Sequence, residues 1–300
     1  MQFEFMPKGP FDLANQNQYF GGWLTLGSDP ATIVMAFPVE GWKGSAALAL
    51  RQAADGRIVG EVSGPPELAE KARSQGLACL SLDVDGEGWP DVGRRDAVMG
   101  QLQEQYAYLR PVLFHSPYEA AAAFIIGHRI SVKQRQVIMG RMAEQLGDEL
   151  VVGGQSFYAF PGPQALLLLR SYPGLNEQKV ERLHGVALAA LEGWLDRDEL
   201  RAIPVEAALS RLESIAGIGP FFASGILYRG AGLVDGIPQE DVTPYAIQNA
   251  YHLTESPDRV QLESIAQGWQ PFRMWANVLL HVWVRSEIGL PRRPSFSARK

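Results

Sequence analysis

The sequence predicts an α+β fold: an N-terminal α+β domain built on an antiparallel sheet, followed by an all-helical bundle. Three observations carry this. The first hundred or so of the 300 residues place β-favouring residues between Gly, Pro and Asp punctuation. From Pro117 onward, apolar residues recur at three- and four-residue spacing between Gly or Pro stops. Hydrophobic residues make up 46% and charged residues 20%, a composition that builds a packed core.

The expected strands are "GWLTLG", "TIVMAFPV", "AALALRQ", "RIVGEVSG" and "LACLSLDVDGEGW". Between them "PPELAEKARSQGL" reads as a helix with proline near its start. The join falls near "YAYLRPVLFHSP", where Pro111 and Pro117 bracket a short extended stretch. This gives an N-terminal domain over 1–112, a helical domain over 113–290 and a basic tail over 291–300. "SPYEAAAAFIIGHRI" opens with Ser116 as N-cap, Pro117 at the first helical position and Glu119 three residues after the cap. "SVKQRQVIMGRMAEQLGDEL" follows, capped by Ser131. Five further amphipathic segments continue to "PFRMWANVLLHVWVRSEIG", so the bundle holds about seven or eight helices. No repeat of fixed period interrupts them.

Composition narrows the function classes. The single cysteine, Cys79, excludes an internal disulfide and any four-cysteine cluster. No apolar run reaches the roughly 18 residues of a membrane span, and "MQFEFMPKGPFD" has neither the basic start nor the apolar centre of a signal peptide. A cytoplasmic protein without a membrane partner is expected. The net charge of −6 argues mildly against nucleic acid, but the charge is uneven. Residues 120–143 carry Arg129, Lys133, Arg135 and Arg141 and no acid, and the tail carries Arg292, Arg293, Arg299 and Lys300. Such a face is either solvated surface or a meeting place for phosphates.

The sharpest local signal is "LESIAGIGPFFASGILYRG". Two glycines sit between amphipathic helices, where each costs about 1 kcal/mol relative to alanine inside a helix. Only "GIG" remains as the connection, so the helices form a tight hairpin. Gly217 and Gly219 are free to take positive φ and leave room for another chain. Pro220 suits the first turn of the second helix, whose free N–H groups favour an anion. Read alone, "GIG" is equally a plain αα turn that uses glycine for close packing. Downstream, Asp241 lies 22 positions after Gly219, just ahead of another helix, with Thr243 as its expected N-cap and Pro244 as its first residue.

The run from "GIGPFFA" through an apolar helix to "IPQEDVTPYAI" resembles the helix-hairpin-helix DNA glycosylases, and most closely the bacterial 3-methyladenine DNA glycosylase II branch. "PFDLANQNQYF" resembles the opening of that family's N-terminal domain, "SPYEAAAAFIIGHRISVKQ" its helix and turn that enter DNA, and "WQPFRMWANVLLHVW" its closing helix. The resemblance spans roughly residues 10–289.

Several expectations follow from the resemblance. The family cleaves the bond between a damaged base and deoxyribose, through an oxocarbenium-like sugar. Asp241 matches its catalytic aspartate, which stabilises that charge and orients water; Glu240 and Asp235 are the rivals. Bifunctional members carry a lysine two residues after the second hairpin glycine. That position is Phe221 here, which implies a monofunctional enzyme that uses water and leaves an abasic site. DNA contacts are implied for Gly217, Ile218, Gly219, Phe221 and Ala223 in the hairpin and for His128, Arg129 and Ser131 at the turn. His128 or Arg129 fills the gap left by the flipped nucleotide. The pocket for a cationic purine is implied to be aromatic, built from Trp283, Phe221 and Tyr19 or Phe20. No cofactor is required and no iron–sulfur cluster is expected. Family hairpins often hold a monovalent cation, Na or K, here through the carbonyls of Glu213, Ile215 and Ile218.

The leading expectation is thus a base-excision-repair glycosylase for alkylated or deaminated purines, a monomer whose partner is damaged double-stranded DNA. Two alternatives stay open: an 8-oxoguanine-type oxidised-base glycosylase, and a catalytically silent helix-hairpin-helix DNA-binding protein.

Overall fold

The computed structural model describes residues 1–20, 24–26 and 29–289. The expected basic tail, 291–300, lies outside the described residues, and so does the side chain of Phe20.

The N-terminal unit is a five-stranded antiparallel sheet in the order β1-β5-β4-β3-β2. Its strands are β1 (Gln2–Phe5), β2 (Leu24–Leu26), β3 (Asp29–Pro38), β4 (Ser45–Gln52) and β5 (Ile58–Ser63). Helix α1 (Leu13–Phe20) precedes β2 and α2 (Ala69–Cys79) follows β5. Ile33, Met35, Phe37, Ala46, Leu48 and Leu50 face α2 in one core. Their neighbours Val34, Ala47 and Ala49 point to the opposite face, as the two-residue period of a strand requires. Both faces are covered, which is why β3 and β4 read as unbroken apolar runs. The fifth expected strand, "LACLSLDVDGEGW", is not one. Leu77–Cys79 end α2, and the sheet takes Gln2–Phe5 as its remaining edge instead.

Two short helices, α3 (Trp89–Arg95) and α4 (Ala97–Gln105), follow. Gly93 and Gly100 break their sequence pattern, but a Cβ on Gly100 would meet the Gly93 backbone. The glycines allow this close helix contact.

The helical part then runs α5 (Pro117–Gly127), α6 (Val132–Leu146), α7 (Pro163–Leu167), α8 (Glu177–Leu191), α9 (Arg197–Ala202), α10 (Val205–Glu213) and α11 (Pro220–Gly225). It closes with α12 (Val242–Ala250), α13 (Arg259–Gln267) and α14 (Arg273–Trp283). The Ser116 hydroxyl accepts from Glu119 N at 3.1 Å, and Ser131 and Gln134 form a reciprocal capping box, as their spacing predicts. Between α6 and α7 lies an unforeseen hairpin, β6 (Glu149–Val152) and β7 (Gln155–Tyr158). Gly153 and Gly154 turn it, both at positive φ, and its Val152 and Phe157 cover the second face of the sheet.

Two helical cores result. One gathers α5, α8, α10 and α11 around Ile126, Leu183, Leu212 and Ile226. The other joins α3 and α4 to α12, α13 and α14 through Trp89, Leu102, Trp269 and Trp275, and so draws on both sides of residue 112. Arg110, fully buried, ties this last core to the sheet unit. It donates to Pro10 O at 3.0 Å, to Ser81 O at 3.2 Å and to Lys8 O, and its guanidinium lies 5.0 Å from the Trp275 ring centroid. Desolvation lowers its pKa to about 10, which still leaves it charged at neutral pH.

Candidate active site and DNA-facing corner

The hairpin forms as expected, with a different division of labour between its glycines. Gly217 has φ +88°, the left-handed region, and a Cβ there would collide with the Arg182 side chain. Gly219 is extended, with φ −99° and ψ −179°, a conformation open to any residue. A Cβ on Gly219 would meet nothing, so the space beside it is open. Gly217 is therefore dictated by the backbone and by Arg182, whereas Gly219 leaves an unfilled surface at the start of α11. No side chain caps that start, and Pro220 is its first residue. Helix α11 continues into a π-type segment, Ile226–Ala231.

At two of the expected hairpin contacts the backbone N–H is already engaged within the protein. Ala223 is fully buried and its N–H donates to Gly219 O at 2.9 Å. Ile218 is buried and its N–H donates to Ile215 O at 3.0 Å. The Ile218 and Glu213 carbonyls accept no hydrogen bond among the described residues, and the Ile215 carbonyl keeps one lone pair. Three carbonyl oxygens with free lone pairs thus remain in the connection between α10 and α11.

The turn after α5 packs directly against the hairpin. His128 and Arg129 are exposed, and Arg129 takes φ +59°, unusual for a side chain of its size. The His128 ring stands edge-on to Phe222 at 6.0 Å, and Phe222 stacks on Phe124 at 5.1 Å. Phe221, 56% exposed, faces outward beside this cluster. The turn also collects positive charge that its local sequence does not reveal. Lys179 Nζ donates to Ile126 O at 2.7 Å and His128 O at 2.9 Å. Desolvation, then the neighbouring Arg129, Lys179 and Arg182 charges, lower the His128 pKa.

Glu240 and Asp241 have opposite environments. Glu240 is turned inward. Its Oε1 accepts from His281 Nε2 at 3.0 Å and Asn277 Nδ2 at 3.0 Å, with Thr243 Oγ1 at 3.1 Å. Burial pushes its pKa up, but the His281 bond and charge with the Asn277 and Thr243 bonds outweigh this and hold it below the usual carboxylate range. Asp241 is exposed and makes no side-chain hydrogen bond or ion pair among the described residues, although it occupies the N-cap position of α12. Thr243, the expected cap, is instead buried at the second position of the helix, its Oγ1 donating to Asn277 Oδ1 at 2.7 Å. Gln239 N donates to Ser224 Oγ at 3.0 Å, which lays the segment before Asp241 across α11. Ser224 is one helical turn from Phe221 and so shares its face. The remaining rival, Asp235, is tied up: Arg273 Nε donates to it at 2.6 Å.

The expected aromatic pocket is only partly assembled by described contacts. Tyr19 meets Tyr106 edge-on at 5.1 Å, and Trp283 is half-buried in the core around α14. Trp283 is two residues, about 200° of helix, from His281 and so faces away from Glu240. Among the described ring contacts, none joins Tyr19 or Trp283 to Phe221.

The sequence reading missed Lys179 and Arg182, a basic pair three residues apart on α8, and the His281–Asn277–Thr243 set that holds Glu240. It also missed Arg229, which donates to Val112 O at 2.9 Å. Desolvation lowers the Arg229 pKa, and the charge of Glu240 opposes this.

No protein-family model matches the chain. In three dimensions it follows a 3-methyladenine DNA glycosylase from Archaeoglobus fulgidus with a TM-score of 0.77, over 95% of this chain and 98% of that one, at 21% identity. The chain has the helix-hairpin-helix DNA glycosylase fold, α+β in class. An 8-oxoguanine glycosylase/lyase from Clostridium acetobutylicum, solved with double-stranded DNA containing cytosine opposite 8-oxoguanine, matches with a TM-score of 0.68 over 95% of this chain and 97% of its own, at 14% identity. In sequence, a DNA-3-methyladenine glycosylase of Bacillus subtilis (strain 168) is 22% identical over 206 residues, 67% of this chain and 68% of that protein.

Proposed function

We propose that the protein is a monofunctional DNA glycosylase of base-excision repair that removes alkylated or deaminated purines. The observation that carries this is the pair at 240–241. One carboxylate is anchored inward by His281 and Asn277, and the next is left exposed and unengaged at a helix start laid across the hairpin helix. A free carboxylate there stabilises an oxocarbenium-like sugar and orients water towards it. The relatives named for 3-methyladenine support the substrate class.

In this reading the open surface at Gly219 seats one backbone phosphate. A monovalent cation on the Glu213, Ile215 and Ile218 carbonyls adds positive charge beside it. His128 and Arg129 enter the space of the extruded nucleotide. Phe221 offers an exposed ring where bifunctional relatives carry an amine, so no imine forms and water completes the cleavage.

The test is release of base from duplexes carrying hypoxanthine, 1,N6-ethenoadenine, methylated purines or 8-oxoguanine, read as alkali-labile abasic sites. Asp241→Asn is expected to lower single-turnover release by about 10²–10⁴ while duplex affinity stays near wild type. A dead Glu240→Gln beside an active Asp241→Asn would move the catalytic role by one residue. Release from 8-oxoguanine alone would favour the chemistry named for the Clostridium protein, and binding without release from any duplex would leave a silent DNA-binding protein. Borohydride is expected to trap no covalent complex.

A further inference from the structure

We propose that Lys179 is a positioning residue: it braces the turn at 127–131 in the shape that enters the duplex, while Arg182, one helical turn along α8, meets a backbone phosphate at the hairpin corner. This rests on the reading of the His128–Arg129 turn as the part that penetrates DNA.

The turn needs holding. The last carbonyls of a helix have no partner within it, and Arg129 sits at φ +59°, a strained conformation for a residue with a long side chain. The described backbone bonds across the turn are long, His128 N to Ile125 O at 3.4 Å and Ile130 N to Gly127 O at 3.2 Å. Lys179 supplies what they do not. Its ammonium donates to Ile126 O at 2.7 Å and to His128 O at 2.9 Å, bridging the end of α5 and the residue beyond it. A cation at this place also meets the negative end of the α5 dipole. Two sides of the turn are held by packing, the His128 ring on Phe222 and the Arg135 stem under Gly127. Lys179 is the polar third side.

Arg182 lies on the same face of α8 and is used differently. Its stem packs on Gly217, where a Cβ would displace it, and it makes no hydrogen bond or ion pair among the described residues. One helix thus fixes the spacing between the penetrating turn and the corner, with one cation spent on protein carbonyls and the other left for a ligand. An unpaired guanidinium at a corner with open space beside it suits a phosphate oxygen.

The two roles separate experimentally. Affinity for an undamaged duplex is measured by anisotropy from low to high salt, and base extrusion by stopped-flow fluorescence of 2-aminopurine placed beside 1,N6-ethenoadenine. Lys179→Met is expected to slow extrusion about tenfold, with undamaged-duplex affinity within about twofold and the salt slope unchanged. Lys179→Arg, which keeps donors for both carbonyls, is expected to restore most of the extrusion rate. Arg182→Ala is expected to weaken all duplexes alike and reduce the salt slope by about 0.9, one phosphate contact. Wild-type extrusion in Lys179→Met, or a salt slope reduced as in Arg182→Ala, overturns the brace; an unchanged slope in Arg182→Ala overturns the phosphate contact. Should the wild-type protein extrude no base from any duplex, the DNA-entry reading fails by itself. Hydrogen exchange at amides 127–131 of the free protein then decides the brace, faster exchange in Lys179→Met supporting it and unchanged exchange refuting it.

Discussion

The hairpin corner and the buried joints between the packed units use charge in opposite ways. At the corner, Asp241, Arg129 and Arg182 have no partner among the described residues, and two of the three are exposed. At the joints, Arg110 is fully buried with three carbonyls around it, and Glu40 and Arg197 face each other in the interior at 4.0 Å. The joint is itself incompletely satisfied. Glu40 Oε1 and Arg197 Nε are buried and accept or donate no hydrogen bond. Charge at the corner stays hydrated at little cost and is available to a ligand. Charge in the joint has lost its water, so its protonation and its partners become part of the stability of the fold.

That contrast gives three measurements beyond the Asp241 and Lys179 variants. The largest effect falls on Arg110. Arg110→Met removes the donor from three inward carbonyls and the charge from the Trp275 face, and is expected to lower unfolding free energy by about 3–5 kcal/mol. A urea titration that finds less than about 1 kcal/mol would show that the joint is held by apolar packing alone.

Glu40 comes next. Burial, opposed by the Arg197 charge, raises its pKa from 4.5 to about 7. Because the folded value lies above the unfolded one, the stability it contributes is complete below the unfolded value and lost as pH rises through about 7. Between pH 5 and pH 8 this group is expected to cost the wild-type protein about 2–3 kcal/mol, and Glu40→Gln to remove that part of the pH dependence. Parallel urea curves at the two pH values for both proteins check it; equal slopes would refute it.

The smallest effects sharpen the comparison within the corner. Gly217→Ala forces a side chain into the left-handed region against Arg182, and is expected to cost about 1–2 kcal/mol of stability. Gly219→Ala places its methyl in open space in an extended backbone and is expected to cost less than about 1 kcal/mol, yet to weaken duplex binding roughly tenfold by filling the proposed phosphate seat. Equal behaviour of the two variants in both assays would remove the distinction drawn between these glycines.

Local chemistry was legible in the sequence wherever it acts over a few residues. The caps at Ser116 and Ser131, the hairpin at "GIG", the apolar runs of β3 and β4, and the helix start beside Asp241 follow from local sequence, because a cap, a helix turn or a strand is set by neighbours a few positions away. Two pairs of glycines carried no structural reading in the sequence, for the same reason. Gly93 and Gly100 mark a close helix contact and Gly153–Gly154 a hairpin, and the sequence shows only that glycine is present, not what approaches it. Which of two adjacent carboxylates is free was decided by tertiary structure alone. His281 and Asn277 lie 41 and 37 positions beyond Glu240, and only the packing of α14 against α12 brings their donors to its oxygen. The same holds for Lys179, some fifty residues from the carbonyls it bridges. A chain's sequence determines its periodicities and turns, whereas the partner of a buried or bridging charge depends on which helices come to lie side by side.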